Sequence, residues 1–582
     1  MIRSRLIVCT LALITLALAL STAGAEDWPM YRYDVGRTAA TPMELPAELH
    51  LQWTRQLPEP QPAWTAERKR FDTCYQPIVA GKLMLIGSNS NDSVTAYDTK
   101  SGIEKWRFFC DGPVRLAPVV ADGKVYFGSD DGYLYCLDLQ TGREIWKSQG
   151  ALRDRNVLGN KRIISSWPVR CAPIVADGKV FFTAGIFPSM GVSRYQLDAT
   201  TGKVIWQSDE TLTTSHQGYP ALIDGQLVVP GGRARPIFYD WQTGQYTREI
   251  STLFGTPFVS GIEGLFIQNH WITGKAMGKY EYGKPNLDHE FPVESPGFME
   301  DAVLTAKTFY TVLDPDRTLN RRIYFYASTI KEKKQYYSKI MKGSAPGDLI
   351  KIDTEAVRRS WVKVPLDEDL ERTEALKKRR AILKEIEDKF YSSIVPVKLP
   401  VKLKKIWLKA GSRLYASDVN QTQVVAIDLA KGSVSWQEKL PAPIVAMIAG
   451  DDKLFIITDK SQIFCFGGEK KEIPAEHASP DQIIAEDKWT KCAADILSAT
   501  AQVSGNALVL GVQNVRLWEA LASQSELHIT AIVPDAEKVA EYRKALDDRW
   551  LYGRRVEVHV GDPLAFHIPP YVHSLILVSD SQ

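Results

Sequence analysis

Up to residue 468 the chain is written in short runs in which apolar residues alternate with polar ones or come in bursts of three or four, closed by Gly, Asp and Pro. That periodicity predicts β-strands, and the separators predict tight turns. Ala117-Pro118-Val119-Val120, the turn Asp122-Gly123-Lys124 and Val125-Tyr126-Phe127-Gly128 make one strand pair. Ala172-Pro173-Ile174-Val175, Asp177-Gly178-Lys179 and Val180-Phe181-Phe182 repeat it. A second hairpin follows each pair: an apolar residue, Asp, turn residues, Gly, three residues, Trp. It reads Tyr97-Asp98…Gly102…Trp106, Leu137-Asp138…Gly142…Trp146 and Leu197-Asp198…Gly202…Trp206. Weaker copies stand at Asp240…Gly244, with Arg248 in the Trp place, at Asp353…Trp361, with Val357 for Gly, and at Asp428…Gly432…Trp436. In each, Asp accepts backbone hydrogen bonds across the turn and Gly supplies a positive φ.

Four strands per roughly forty residues is the spacing of a β-propeller blade, and a lone blade cannot bury both faces, so several must close a ring. The expected fold is mainly β: an eight-bladed propeller over residues 26–468, with seven blades as the alternative. An eroded blade is placed from Gly255 to about Asp288. The last unit, Ile444 to Gly468, lacks an outer strand, which Leu49-His50-Leu51-Gln52-Trp53 would supply. Residues 367–391 are highly charged, with Leu376, Leu383 and Phe390 near heptad spacing, and read as a helical insertion.

After residue 468 the period changes. A polar linker over 469–485 leads to a helix from Asp487 to Ala501. Apolar strands at Ala507–Gly511, Leu527–Val533, Val556–Val560 and Ser574–Val578 then alternate with helical stretches. Such alternation means a parallel sheet with crossover helices, so residues 486–582 are expected to form a small, incomplete α/β Rossmann-like domain.

Composition narrows the function. Lys plus Arg number 71 against 69 Asp plus Glu, a net +2 that argues against a dedicated nucleic-acid partner. Arg3 and Arg5, the apolar run Leu6–Leu20 and Ala23-Gly24-Ala25 read as a signal peptide over residues 1–25. The expected product is exported to the periplasm, cell envelope or exterior and keeps no transmembrane segment after cleavage. Six cysteines remain in the mature chain, and an oxidising compartment permits several pairings. The bridge favoured by the repeat is Cys74 to Cys110.

The repeated Asp-x-x-Thr-Gly-x-x-x-Trp hairpins, with the opening Asp27-Trp28-Pro29-Met30-Tyr31, resemble the pyrroloquinoline-quinone-like propeller repeats over roughly residues 27–468. That superfamily includes quinoprotein alcohol dehydrogenases and a non-enzymatic lipoprotein of outer-membrane β-barrel assembly. The resemblance implies, for the enzymes, a quinone under a disulfide of adjacent cysteines, a Trp floor, Ca²⁺ held by carboxylates and amides, and an Asp base. This chain has no adjacent cysteine pair and no alignable calcium constellation. The C-terminal segment resembles the first half of a class I S-adenosylmethionine-dependent methyltransferase. There Gly511 and Asp562 match, Asp535 falls two residues late for the ribose carboxylate, and Gln513 and Val515 replace loop glycines.

No resident cofactor is therefore expected, with quinone plus calcium, or S-adenosylmethionine, as alternatives. No nucleophile elbow, phosphate loop or His-Glu-x-x-His is present. The leading expectation is a non-catalytic propeller acting as a binding or scaffold module; the alternatives are a quinoprotein oxidoreductase and a methyltransferase. One column suggests a ligand site. Three residues before the inner-strand prolines stand Cys74, Arg115, Arg170 and Gln217, with His216 adjacent, and inner strands line a propeller's axis. Arg115, Arg170, His216 and Gln217 are the candidates, beside an insertion carrying Arg153, Arg155, Lys161 and Arg162. Guanidinium groups at an axial mouth would take a small anion or an acidic protein segment; equally, they would pair with blade carboxylates.

Overall fold

The computed structural model describes residues 27–64, 71–208, 215–232, 236–249, 258–268, 271–273, 293–294, 301–313, 345–360, 381, 385, 394–480 and 486–578. The signal peptide expected at 1–25 and the helical insertion expected at 367–391 lie outside these, apart from two isolated positions of the insertion.

The chain is mainly β. The described residues form eight sheets built on antiparallel four-stranded meanders, spanning 78–109, 119–149, 174–208, 221–249, 260–294, 303–397, 403–439 and 444–467. The eroded unit after residue 255 is the sheet 260–294. The last sheet takes His50–Gln56 as its outer strand, antiparallel to Gln462–Gly467 with Trp53 opposite Cys465. Ala475–His477, within the expected linker, adds beside it in parallel. The Asp353 unit differs from its sequence reading. Asp353 accepts from the amides of Glu355 (2.8 Å) and Ala356 (3.1 Å) and opens the helix Thr354–Ser360, and the returning strand is Ile394–Val397. Val357 stands where the other units carry Gly, and as a β-branched residue it resists the positive φ of their turn.

In the well-kept units the turn Gly does more than bend the chain. At Gly142, φ is +68° and a Cβ would stand 2.5 Å from the Trp106 ring of the preceding sheet; Gly202 stands in the same relation to Trp146, and Gly102 to Trp53. Trp106 Nε1 donates to Leu139 O (2.9 Å) and Trp53 Nε1 to Thr99 O (2.9 Å). Trp53, Trp106, Trp146 and Trp206 are thus each seated on the next repeat's turn, which joins sheet to sheet. Trp53 makes the first sheet's neighbour the last, and at Gly450 a Cβ would stand 2.6 Å from Val79.

Residues 28–41 run across the inner strands. Trp28 bridges Val79, Pro29 O accepts from Val120, Val35 O from Leu222, Gly36 O from Gly261, Thr38 O from Leu304, and Ala39 O from Lys409. One short segment thus touches the innermost strands of six sheets. Tyr31 stacks on Tyr219 with ring centroids 3.7 Å apart, and fully buried Arg37 donates to Pro220 O (2.8 Å) and Tyr31 O (3.0 Å).

The C-terminal part is a four-stranded parallel sheet in the order Val556–Val560, Glu526–Val533, Ser504–Leu510, Leu575–Val578. Helices Lys488–Thr500, Val515–Gln524 and Ala536–Asp547 pack on it. Asp487 caps the first of these in a reciprocal pair with Thr490.

Cys74 and Cys110 are free thiols, in place of the expected bridge. They precede the first and follow the fourth strand of one sheet. Three strand spacings put these strands roughly 14 Å apart, well beyond the reach of a disulfide.

Candidate functional site

The structure brings Arg115 and Arg170 together on one carboxylate. Arg170 grips Asp130 with Nε and Nη2, both at 2.8 Å, and Arg115 Nε reaches the same group at 2.6 Å. Arg115 Nη1 continues to Asp72 (2.7 Å) and to Gln61 O (3.0 Å). All four charged side chains are buried. Burial alone would raise the Asp130 carboxyl, but the two guanidinium groups hold it below the usual carboxylate range. Two cations meet two carboxylates, so the pair presents little free charge. The aspartates were the missed residues. Asp130 lies in Ser129-Asp130-Asp131-Gly132, a segment that reads only as a turn.

His216 and Gln217 have other partners. His216 Nε2 meets the Tyr239 hydroxyl (3.0 Å), and the Arg194 guanidinium lies 4.2 Å from that ring's centre. Burial, helped by Arg194, pushes the His216 imidazole down to about 3, so it is neutral at physiological pH. Gln217 Nε2 donates to Ser215 Oγ (3.2 Å) and its amide to Pro230 O (3.1 Å).

The insertion is a β-hairpin, Asn156–Gly159 with Arg162–Ser165. It carries Arg162 into a junction with the C-terminal sheet, where the buried guanidinium pairs with Asp92 and with Glu557 (3.1 Å). Glu557 also accepts from the Ile163 amide (3.1 Å) and meets His559 (3.1 Å), a carboxylate companion that sequence spacing did not reveal. Arg107 pairs with Asp547, Arg543 with Asp111, and Tyr552 packs edge-on against Phe109. Burial raises the Asp92 carboxyl to about 6 despite Arg162.

Between hairpin and C-terminal domain lies a cavity of about 500 Å³, lined by Gln61, Lys161, His528, Arg549, Trp550, Arg554 and Arg555, among others. The basic run Arg549…Arg554-Arg555 was the signal available in sequence, and it passed unread.

The cofactor positions do not assemble. Asp535 caps the helix Ala536–Asp547 by accepting from Glu537 (2.9 Å) and Lys538 (3.2 Å). That helix closes over the loop after Gly511: Lys538 Nζ reaches Gln513 Oε1 (3.1 Å) and Tyr542 Oη reaches Gln513 O (3.3 Å). Asp562 accepts from Leu564 N (2.9 Å) within its own turn. A nucleotide-like cofactor needs open backbone at that loop, and here Lys538 and Tyr542 are bonded to Gln513 on it. For a quinone with calcium, no cluster of three His, Cys, Asp or Glu able to hold a metal occurs among the described residues. None of the described helices is long and apolar enough to cross a membrane.

Residues 50–166 match the family model described as outer membrane protein assembly factor BamB. The dehydrogenase subunit of the quinone alcohol dehydrogenase of Gluconobacter oxydans is 40% identical over 145 residues, 22% of this chain and 18% of that protein. Quinohemoprotein alcohol dehydrogenase ADH-IIG of Pseudomonas putida is 26% identical over 158 residues, 25% of this chain and 21% of that one. BamB of Yersinia pestis is 27% identical over 139 residues, 23% of this chain and 33% of its own. The matched stretches thus span no more than about a third of these relatives. The solved structure of ADH-IIG superposes with a TM-score of 0.42 at 12% identity, covering 81% of this chain and 85% of that one. The sequence matches support a propeller of the pyrroloquinoline-quinone-like class, shared by alcohol dehydrogenases and by an assembly factor.

Proposed function

We propose that the chain is an exported binding or scaffold propeller that performs no chemistry at its axis, its eight sheets being eight blades of one ring. The observation that carries this reading is a chain segment laid across the inner strands, where a closed ring would have its axis. Residues 28–41 cross six inner strands, and the only arginines of the axial column, Arg115 and Arg170, are spent on Asp130 and Asp72. A catalytic axis needs open volume and groups whose charge is available to substrate. The C-terminal sheet, pinned by ion pairs to the first sheet and the hairpin, acts as a fixed cap that extends the binding surface. Its partner is a protein or a small anion, consistent with an assembly-factor relative that is named for a non-enzymatic role.

The second reading is a quinoprotein oxidoreductase, favoured by the alcohol dehydrogenase matches. Adding the quinone with Ca²⁺ to purified protein discriminates the two. We expect no stable absorbance change and no alcohol-dependent dye reduction; a stoichiometric quinone band with turnover would overturn the proposal. Equilibrium dialysis with labelled S-adenosylmethionine tests the methyltransferase alternative, where micromolar binding would reverse it. Amino-terminal sequencing of the exported protein should begin at Glu26.

A further inference from the structure

We propose that the cavity between the 156–165 hairpin and the C-terminal domain binds a small polyanion carrying two or more phosphate or carboxylate groups. Its wall holds Lys161, Arg549, Arg554 and Arg555, and among the described residues no Asp or Glu lines it. The charges are poorly compensated. Among the described residues neither Lys161 nor Arg554 meets a carboxylate, while Arg555 spends Nε and Nη2 on the carbonyls of Leu527 (3.2 and 3.0 Å) and Ser525 (2.7 Å). Those acceptors fix the guanidinium, and the Glu526 carboxylate acts on its charge without forming an ion pair. Arg549 has a carboxylate partner, Glu519, at 3.2 Å.

Two further observations agree. His528, on the cavity wall, is pushed down to about 4 by burial and by Lys161 and Arg555, so the cations face a neutral imidazole instead of a further charge. The volume, about 500 Å³, lies within the roughly 300–1,000 Å³ of small-molecule sites. Lys161, Arg554 and Arg555 held around one space repel each other, and an anion bridging them removes that repulsion. Arginine's planar fork suits oxyanions in particular. Trp550 gives the wall a broad apolar face and an optical reporter. This site is separate from the axial arginines, and its fate does not depend on whether the axis is catalytic.

The test is calorimetric titration of the full chain with pyrophosphate and with citrate, at physiological ionic strength, with glycerol as the neutral control. We expect saturable one-to-one binding of at least one anion, quenching of Trp550 fluorescence that is lost in Trp550→Phe, and no heat from glycerol. Binding of pyrophosphate alone assigns phosphate, and of citrate alone carboxylate; either supports the proposal. Lys161→Met with Arg554→Met should weaken binding roughly 100-fold, about tenfold per charge-assisted contact. The exposed Lys431→Met should leave it unchanged. No saturable binding of either anion at millimolar concentration, or wild-type affinity in the double variant, would overturn it. Among the described residues Lys161 and Arg554 have no carboxylate partner, and retention of the native circular dichroism and melting temperature confirms that a loss reports the site.

Discussion

Replacing Arg162 with Met removes the charge at the centre of the junction between hairpin and C-terminal sheet. Arg162 is 3% exposed, Asp92 2% and Glu557 5%, so the two carboxylates it bridges would face each other with little water to screen them. Removing one partner of a buried pair costs about 3–5 kcal/mol. Asp92 already stands near 6 because burial opposes its charge, and without Arg162 it rises further and takes up a proton near neutrality. That relief places the expected cost near the lower bound, about 3 kcal/mol at pH 7.5, and smaller at pH 5, where Asp92 is protonated more readily. At about 1.36 kcal/mol per decade, this is roughly a 150-fold loss of protection. Hydrogen–deuterium exchange of the full chain should show it at Arg162–Ser165 and Val556–Val560, with Leu454–Ile457 in the last sheet unchanged. The triple variant Asp92→Asn, Arg162→Met, Glu557→Gln should recover most of the protection, because neutral amides leave no buried charge. A change under about threefold, or a triple variant no better than the single one, would refute the reasoning.

Gly142→Ala should cost about 3 kcal/mol or more, since the new methyl meets the Trp106 ring, whereas Gly123→Ala, with similar φ and nothing within 4 Å, should cost only about 1–2 kcal/mol for the left-handed backbone; equal losses in urea melts would show that the ring contact is irrelevant. His216 has its folded value below the ordinary 6.5, so its contribution is present above pH 6.5 and is lost as pH falls toward about 3. Roughly 2 kcal/mol should go by pH 5, and His216→Gln should flatten that limb of the stability profile; an unchanged slope tells against burial of the neutral ring. Tyr31→Ala, which removes the ring stacked on Tyr219, should lower stability by about 2–4 kcal/mol and speed proteolysis of residues 28–41; an unaltered cleavage rate would mean that the segment does not depend on that stack.

How much of this was legible depends on the range of the interaction. The Asp and Gly of each hairpin act within five residues. Asp138 Oδ1 accepts from the Thr141 amide (2.8 Å) and hydroxyl (2.7 Å), and Gly142 N donates to Asp138 O (2.9 Å), so the turn is written where it is made. Where one letter changed, at Val357, the expected hairpin failed. Sequence also located the strand around Trp53 that completes the last sheet, because a Trp without its own turn needs a foreign one. The candidate site was legible only in residue type. Arg115 and Arg170 were found, but Asp72 lies 43 positions from Arg115, and Asp130 15 positions from Arg115 and 40 from Arg170, and no local pattern announces such a pair. For the same reason the sequence points to the axis for an anion, although Lys161 and Arg554, which meet no carboxylate among the described residues, line a cavity elsewhere.

By itself, then, the sequence determined the repeated sheet, its turns and the change of period after residue 468, all of which arise from contacts between near neighbours along the chain. Tertiary structure decided which charges are free. Arg115, Arg162 and Arg554 are indistinguishable as letters; the first is neutralised by Asp130 and Asp72, the second by Asp92 and Glu557, and the third is left facing a cavity. The physical reason is that a charge's effect depends on what lies within a few ångströms and on how much water is excluded, and both are set by folding, not by order along the chain.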